Sequence, residues 1–383
     1  MIRRNFNRAR KRLQRSYDVY NRIEISRSAL LHNFDFFRKA TDMQVIPVLK
    51  GNAYGHGIEQ VATALRDSTF PYIAVDGYFE AIKIRAVSRH PVLVMGMIKP
   101  HNFPKLKTNR LAFVVQDKAT IQALGKLNKR VKVHLDINTG MNRYGIAVEE
   151  LQEYATLLQV YPKLHLEGVM THLADADGTT EETVAQAAGL FDTCVDALIA
   201  QGFQPTLFHI GQSAGSLRVR SRYANAVRIG IGLYGVNPFP AGHPRYQDCR
   251  DLRPAMRLVS TISRINELEK GDKVSYNYTF TAPKAMRIGV LPLGYHEGVN
   301  RVLSNVGTVK IGSNFQPIVG RVCMNHTMIS LEGTTAQVGD EVIVYSDRIE
   351  DKNSIDAIAA EHGLFTYNLL TNLSPDVRRY LVN

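Results

Sequence analysis

Between residues 45 and 232, short apolar runs rich in β-branched side chains alternate with longer stretches of helical periodicity. Eight runs read as strands: VIPVLK (45–50), YIAVD (72–76), VLVMG (92–96), LAFVV (111–115), VKVHLDI (131–137), LEGVMTH (166–172), FHIGQS (208–213) and AVRIGIG (226–232). Most are continuously apolar rather than alternating, as strands are when both faces are covered. Helical patterns occupy 57–66, 80–89 and 180–201. Another precedes the first run, with Ser26 as candidate N-cap and Ala29, Leu30, Leu31, Phe34 and Phe37 as its apolar positions. Eight parallel strands in roughly 190 residues predict a closed (β/α)8 barrel of the TIM type over 27–250. An open doubly wound sheet is the other architecture this pattern allows.

After residue 250 the rhythm changes. The segments 257–268, 273–281, 287–293, 307–312 and 341–346 read as strands separated by short Gly, Asn and Asp turns, which predicts a C-terminal antiparallel β domain over 251–383. One amphipathic helix, 354–362, interrupts it. A length of 383 residues suits two such domains, and 45% apolar with 21% charged residues is a globular rather than a disordered balance. No uninterrupted apolar run approaches the roughly 18 residues of a spanning helix, so no membrane partner is expected. Three widely spaced cysteines, Cys194, Cys249 and Cys323, form no disulfide framework and point to a reducing cytoplasm.

The net charge of +12 invites a nucleic-acid reading until it is divided along the chain. Residues 1–15 carry seven Arg or Lys and no acid, leaving 12 − 7 = +5 for the remainder. The excess is a basic tail, and the body shows no basic stripe with interleaved aromatics, so no specific nucleic-acid binding is expected.

In a (β/α)8 barrel the reactive groups stand at the C-terminal ends of the strands. There the chain places Lys50 after the first run and Arg143 beyond the fifth. His172 ends the sixth, Ser213 the seventh, and Arg228 with Gly230 the eighth. A lysine at a strand end is ordinarily a snorkelling side chain. Lys50, however, leads into the glycine-rich turn Gly51-Asn52-Ala53-Tyr54-Gly55-His56-Gly57, where backbone can approach a ligand closely. In an apolar pocket its amine loses charge and becomes able to form a Schiff base. Ser213, with Gly230 and Ile231, lies where such barrels cradle phosphate, although Ser213 reads equally well as a helix N-cap. Arg228, between apolar neighbours, requires partners: either a carboxylate or an acceptor nitrogen of a ring.

Seven segments, VLKGNAYGHG (48–57), INTGMNRYG (137–145), the run from Thr171 to Asp177, the run from Val227 to Gly235, VSYNYTFTA (274–282), LPLGY (291–295) and VGRVCMN (319–325), together resemble alanine racemase, a fold-type III pyridoxal-phosphate family, from about residue 20 onward. The resemblance implies a barrel followed by a β domain that an N-terminal strand at 16–26 joins. It also implies a head-to-tail homodimer with shared active sites and a cytoplasmic enzyme that interconverts L- and D-alanine and supplies D-alanine for peptidoglycan. It makes Lys50 the residue that holds pyridoxal 5'-phosphate as an imine and Tyr276 the second catalytic base, supplied by the other subunit. Tyr54, Ser213, Gly230 and Ile231 match phosphate-binding positions, Arg228 the partner of the pyridine nitrogen, and His172 a cofactor-site histidine. Arg143 and Met324 match substrate-carboxylate positions, while Tyr295 and Arg301 line the entrance. Inversion at Cα needs a base on each face. A phenol ordinarily ionises near pH 10, so a cationic hydrogen-bond network would have to favour its anion.

Three positions depart from the family pattern. Asp136 stands where many members carry a carbamylated lysine that orients the arginine matching Arg143. Asn325 replaces an aspartate beside Met324, and Pro375 occupies the place of a tyrosine that gates substrate. A missing gate leaves a broad-specificity or serine racemase as an alternative. Cys323 keeps a decarboxylase of the same fold type open, and a non-enzymatic cofactor carrier would need the barrel alone. His172 with Asp175 and Asp177, or Cys323 with His326, lack a full zinc-ligand spacing, so no metal is expected.

Overall fold

A computed structural model describes residues 17–383, and the basic tail lies outside the described residues. The chain divides into two compact units. One comprises Ile25–Met256 with the last three residues, the other Arg257–Tyr380 with the described residues 17–24.

The chain opens with β1 (Arg22–Ser26) and passes directly into the helix Arg27–Thr41. Ser26 is the N-cap, its hydroxyl accepting from the Ala29 N–H at 3.1 Å, and Asp42 ends the helix in the left-handed region. Ala29, Leu30, Phe34 and Phe37 form its buried face, at the three- and four-residue spacing a helix side requires.

Eight parallel strands follow: β2 (Gln44–Pro47), β3 (Ile73–Val75), β4 (Val92–Val94), β5 (Leu111–Val115), β6 (Val131–Ile137), β7 (Leu164–Thr171), β8 (Leu207–His209) and β9 (Ala226–Ile229). They pair in the order β2-β9-β8-β7-β6-β5-β4-β3. The circle closes where Val48, just past β2, bridges Ala74 of β3, with the Leu49 N–H donating to the Ala74 carbonyl at 2.8 Å. The barrel expectation holds and the open sheet is excluded. The strands are shorter than the apolar runs: β2 ends at Pro47, so Lys50 opens a separate turn rather than ending a strand. Glu181–Ala200, apolar and long enough by composition to cross a membrane, packs as a barrel helix with Val184, Ala188, Phe191 and Val195 buried.

Alternate residues of each strand face the barrel interior. Ile46 and Val48, Tyr72 and Ala74, Leu93, Ala112 and Val114, Met170, Leu207 and Ala226 share one core cluster. Continued toward the C-terminal ends, the same parity reaches Lys50, Asp76, Asp136, His172 and Arg228. Period two thus turns an apolar core into a polar mouth without changing element.

In the second unit β1 lies in a six-stranded sheet of order β16-β15-β18-β10-β1-β19. Its other members are β10 (Met256–Thr261), β15 (Thr308–Ile311), β16 (Asn314–Pro317), β18 (Glu341–Tyr345) and β19 (Arg378–Val382). β11 (Arg264–Leu268), β14 (Met286–Leu291) and β17 (Thr327–Ser330) form a three-stranded antiparallel sheet, and β12 (Lys273–Val274) pairs with β13 (Phe280–Thr281). The run 257–268 is therefore two strands in different sheets. The break falls between Ile262, whose N–H donates to the Asp340 carbonyl beside β18, and Ser263, whose N–H donates to the Val290 carbonyl of β14. A second short helix, Thr366–Thr371, follows Ile355–His362, which Ser354 caps.

Candidate active site

Lys50 begins a turn of unusual hand. Gly51, Asn52, Ala53 and Tyr54 all have φ between 50° and 63°, a left-handed coil. Non-glycine residues pay roughly 1–2 kcal/mol each there, and such conformations persist only where surrounding bonds over-determine them. Here the Glu80 carboxylate accepts from the Gly51 N–H at 2.7 Å and from those of Asp76 and Gly77 at 3.0 and 3.2 Å. The Asn52 side chain accepts from the Ile58 N–H at 3.0 Å. The turn holds Lys50 half-buried at the mouth. Burial lowers its pKa, Asp76 opposes that shift, and Arg143 and Arg228 reinforce it.

Tyr54 is carried by the same turn. Its ring packs on Tyr234 at 5.1 Å between centroids, and Tyr234 is fixed by donating to the Val48 carbonyl at 2.8 Å. The Tyr54 hydroxyl lies against Gly230 so closely that a Cβ there would stand 2.5 Å from it. Across from it the buried Ser213 hydroxyl accepts from the Gly230 and Gly232 N–H groups at 3.2 and 3.1 Å, and Ile231 is buried beside them. Two hydroxyls and a glycine-lined backbone therefore converge, a donor set that suits a phosphate.

Arg228 is 3% exposed, and among the described residues no carboxylate lies within 4 Å of it, so the ion-pair reading of this residue is corrected. It donates instead to the carbonyls of His209 (2.5 Å) and Thr171 (2.6 Å), and to ring nitrogens of His209 (3.1 Å) and His172 (3.4 Å). Burial lowers its pKa to about 10, which leaves it cationic at neutral pH.

A guanidinium can only donate, and that fixes the proton positions beyond it. His209 must accept at Nδ1, so its proton sits on Nε2 and is donated to His134 Nδ1 at 2.7 Å. His134 then carries its own proton on Nε2, which points to Glu167 Oε2 at 3.4 Å. Glu167 also accepts from Lys132 at 2.5 Å and from the Tyr72 hydroxyl. Burial alone would raise this carboxyl, but the three donors hold it at about 2. Burial pushes both histidines down, so a directed chain of neutral imidazoles joins Arg228 to a fixed anion through the barrel core. Gly168 makes room for it, because a Cβ there would meet His134 at 2.5 Å. Sequence reading missed His134, His209 and Glu167. The first two were visible as polar interruptions at inward positions of VKVHLDI and FHIGQS.

His172 is likewise neutral, its pKa lowered to about 3 by burial and by Arg228, Arg143 and Lys50. Facing a donor at Nδ1, it carries its proton on Nε2. Arg143 is exposed, and no ion pair joins it to Asp136 among the described residues. Asp136, 6% exposed, has its pKa raised to about 6 by burial, against the pull of Arg228 and Arg143. A carboxyl whose folded value lies above its unfolded one stabilises the fold while protonated, and that stability is lost as pH rises through 6. Asp136→Asn is therefore expected to raise stability at pH 8 by up to about 3 kcal/mol. The gain should shrink toward zero near pH 4, and melting curves at the two pH values measure it.

In the second unit, Tyr276, Tyr295, Arg301 and Met324 stand on segments tied to one loop, Arg321 to Met324. Ser275, at φ 66°, donates its hydroxyl to the Arg321 carbonyl at 2.8 Å and so fixes the turn Tyr276–Tyr278. The Tyr295 and His296 N–H groups donate to the carbonyls of Cys323 and Met324, each at 3.0 Å. Gly294 permits this approach, since a Cβ there would lie 2.0 Å from the Cys323 carbonyl. The turn Arg301–Leu303 joins through Ser304, which donates to the Arg301 carbonyl at 2.6 Å and accepts from the Val322 N–H at 3.0 Å. Asn325 donates to Glu297 at 2.7 Å. Pro375 is exposed, beside the Ser374 whose N–H donates to the Glu297 carbonyl. Tyr276, Tyr278, Tyr295 and Met324 are all exposed, Tyr276 by 70%.

A (β/α)8 barrel whose mouth brings together a half-buried amine, two converging hydroxyls and a buried arginine, in a chain with an antiparallel second unit, has the frame of a barrel enzyme. Residues 25–238 match the family model "Alanine racemase, N-terminal domain" and residues 255–381 match "Alanine racemase, C-terminal domain". The chain belongs to the alanine racemase family, whose members are isomerases. It is 34% identical over 366 residues to the alanine racemase of Carboxydothermus hydrogenoformans, covering 94% of this chain and 98% of that one. It is 31% identical to "Alanine racemase 2" of Caldanaerobacter subterraneus, covering 94% of each. The Clostridium difficile 630 alanine racemase structure superimposes with a TM-score of 0.88 at 29% identity, covering 96% and 97%. That of Bacillus anthracis with bound L-Ala-P gives 0.86 at 30% identity, covering 96% of each.

Proposed function

We propose that this chain is a pyridoxal 5'-phosphate-dependent alanine racemase that interconverts L- and D-alanine by a two-base mechanism. The observation that carries this reading is the convergence of the Lys50 amine, the Tyr54–Ser213–Gly230–Ile231 cradle and Arg228 at one barrel mouth. When bound, the cofactor supplies an electron sink for the pair left on Cα after deprotonation. Lys50, held low in pKa by burial, provides the amine for attachment and afterwards a proton acceptor on one face of Cα. Tyr54 and Ser213 anchor the phosphate. Arg228, kept cationic and directed by its two carbonyls, would hold the ring nitrogen as a donor that does not surrender its proton. His172 presents its Nε2–H as a donor for the phenol that works on the other face.

That phenol is Tyr276 of the partner subunit in a head-to-tail homodimer. The exposed cluster of Tyr276, Tyr278, Tyr295 and Met324 supports such an interface, since exposed aromatic and Met groupings mark contact surfaces. Arg143 and the Met324 N–H bind the substrate carboxylate, and Tyr295 and Arg301 border the entrance. We place the enzyme in the cytoplasm, supplying D-alanine for peptidoglycan. We divide the chain into a barrel domain over 27–250 and a β domain over 251–383; of the segment 16–26 expected to join the latter as a strand, Arg22–Ser26 is strand.

Adding pyridoxal phosphate to the purified protein is expected to give a visible absorption band that borohydride fixes covalently on Lys50. Absence of the band removes the assignment. Gly230→Ala, which drives a methyl into the Tyr54 hydroxyl, is expected to weaken cofactor binding about tenfold while the fold persists, as an absorbance titration would read. Pro375 favours a second reading, because a small residue where relatives carry a gating tyrosine can admit larger side chains. Racemisation rates on L-alanine, L-serine and L-lysine decide between them.

A further inference from the structure

At the opposite, N-terminal end of the barrel lies a cleft of about 790 Å³. It is walled by the residues that lead into β3, β4, β5, β6 and β7. The charged residues of its lining are all cationic: Arg110, Lys129, Arg130 and Lys163 come from three connections, Lys132 comes from the start of β6, and all stand around one opening. Two lining residues, Lys132 and Tyr72, donate to the Glu167 carboxylate, which is further engaged by His134. Among the described residues, no carboxylate lies within 4 Å of Arg110, Lys129, Arg130 or Lys163. Two of these side chains reach only backbone: Arg110 donates to the Ser88 carbonyl at 3.3 Å and Lys163 to the Asn128 carbonyl at 3.2 Å. Four cations thus share a concave site with no counter-charge of their own. Elsewhere on the barrel exposed cations do find carboxylates, as Lys118 does with Glu153 and Arg222 with Asp196.

The five charges equal the whole net excess of the chain outside its basic tail. The volume is far larger than an inorganic ion needs and falls within the range of small-ligand pockets. Apolar surface from Pro91, Leu111 and Pro162 completes the walls. We propose that this cleft binds a small phosphorylated organic anion of about nucleoside-diphosphate size. Its phosphates are held by Lys129, Arg130 and Lys163, and its organic part lies against the apolar wall. The site is separate from the mouth that holds Lys50, so the proposal stands whether or not the cofactor assignment does.

Calorimetric titration of the pyridoxal-phosphate-treated protein with adenosine 5'-diphosphate tests it, because the phosphate cradle at the mouth is then occupied. Saturable binding at one site per chain is expected, weakened at least tenfold in the Lys129→Glu/Lys163→Glu double variant and retained in Lys129→Arg/Lys163→Arg. Racemase turnover and melting temperature should stay unchanged in both. Inorganic pyrophosphate should bind severalfold more weakly than the nucleotide if the apolar wall contributes as proposed. No saturable heat up to millimolar nucleotide overturns the site, as does an affinity that the charge reversal leaves intact. A single-stranded oligonucleotide that binds more tightly than the nucleotide at this cleft would overturn the small-ligand assignment.

Discussion

Lys50→Ala is expected to abolish the visible band formed with pyridoxal phosphate and to lower racemisation by about four orders of magnitude or more. Two functions leave with one nitrogen: the covalent attachment point, and the base on one face of Cα. The turn itself should survive, since it is held by backbone bonds to Glu80 and Asn52 rather than by the amine. Unaltered melting behaviour separates loss of chemistry from loss of fold. Lys50→Arg sharpens the test. It keeps a cation at the mouth, but a guanidinium does not become neutral at physiological pH. An electrostatic role would therefore be preserved in Lys50→Arg, and a nucleophilic role would be lost as fully as in Lys50→Ala. A snorkelling lysine, the ordinary role at such a position, would leave the rate untouched in either variant.

The barrel was legible because its strands are buried on both faces and its first helix carries a clear start signal, Ser26, which caps as its position implies. Strand ends were not legible. Apolar character continues through Val48 and Leu49, whose N–H groups pass from the Ile229 carbonyl of β9 to the Ala74 carbonyl of β3, and nothing in the composition marks where the ladders give way to a left-handed turn. In the second unit short strands were lost for a related reason. Asn314–Pro317 and Thr327–Ser330 are four residues each and mix polar with apolar positions, so pairing partners rather than local pattern define them.

The residues proposed for the mouth could be named from the sequence, but the groups that hold them could not. Arg228 invited a carboxylate partner, whereas the fold answers with carbonyls and imidazoles brought from β7 and β8. No local signal links residues 72, 134, 167 and 209: period-two parity turns Tyr72, His134 and His209 inward, while Glu167 falls at a β-bulge opposite Val133 and His134, which no sequence pattern announces. The basic cleft was hidden in the same way. Its charges sit one or two at a time at the starts of different strands, and a charge count along the chain sees only a modest excess.

Tyr276→Phe is expected to lower racemisation by about 10²- to 10⁴-fold, the usual contribution of one positioned acid–base group. Comparing rates in the two directions cannot reveal which base was lost. The equilibrium constant between enantiomers is unity, so kcat/KM must fall equally for both. Exchange with solvent deuterium can. With Lys50 intact, one enantiomer should still exchange its Cα proton with retention of configuration, because deprotonation and reprotonation both occur on the Lys50 face. The other enantiomer presents its proton to the missing phenol and should neither exchange nor invert. Equal residual exchange from both enantiomers would mean that a single base serves both faces, and Tyr276 would then have no role in proton transfer. The exposed, backbone-fixed turn that carries Tyr276 makes the substitution structurally mild, since only a hydroxyl is removed from a side chain that its own unit leaves largely in solvent.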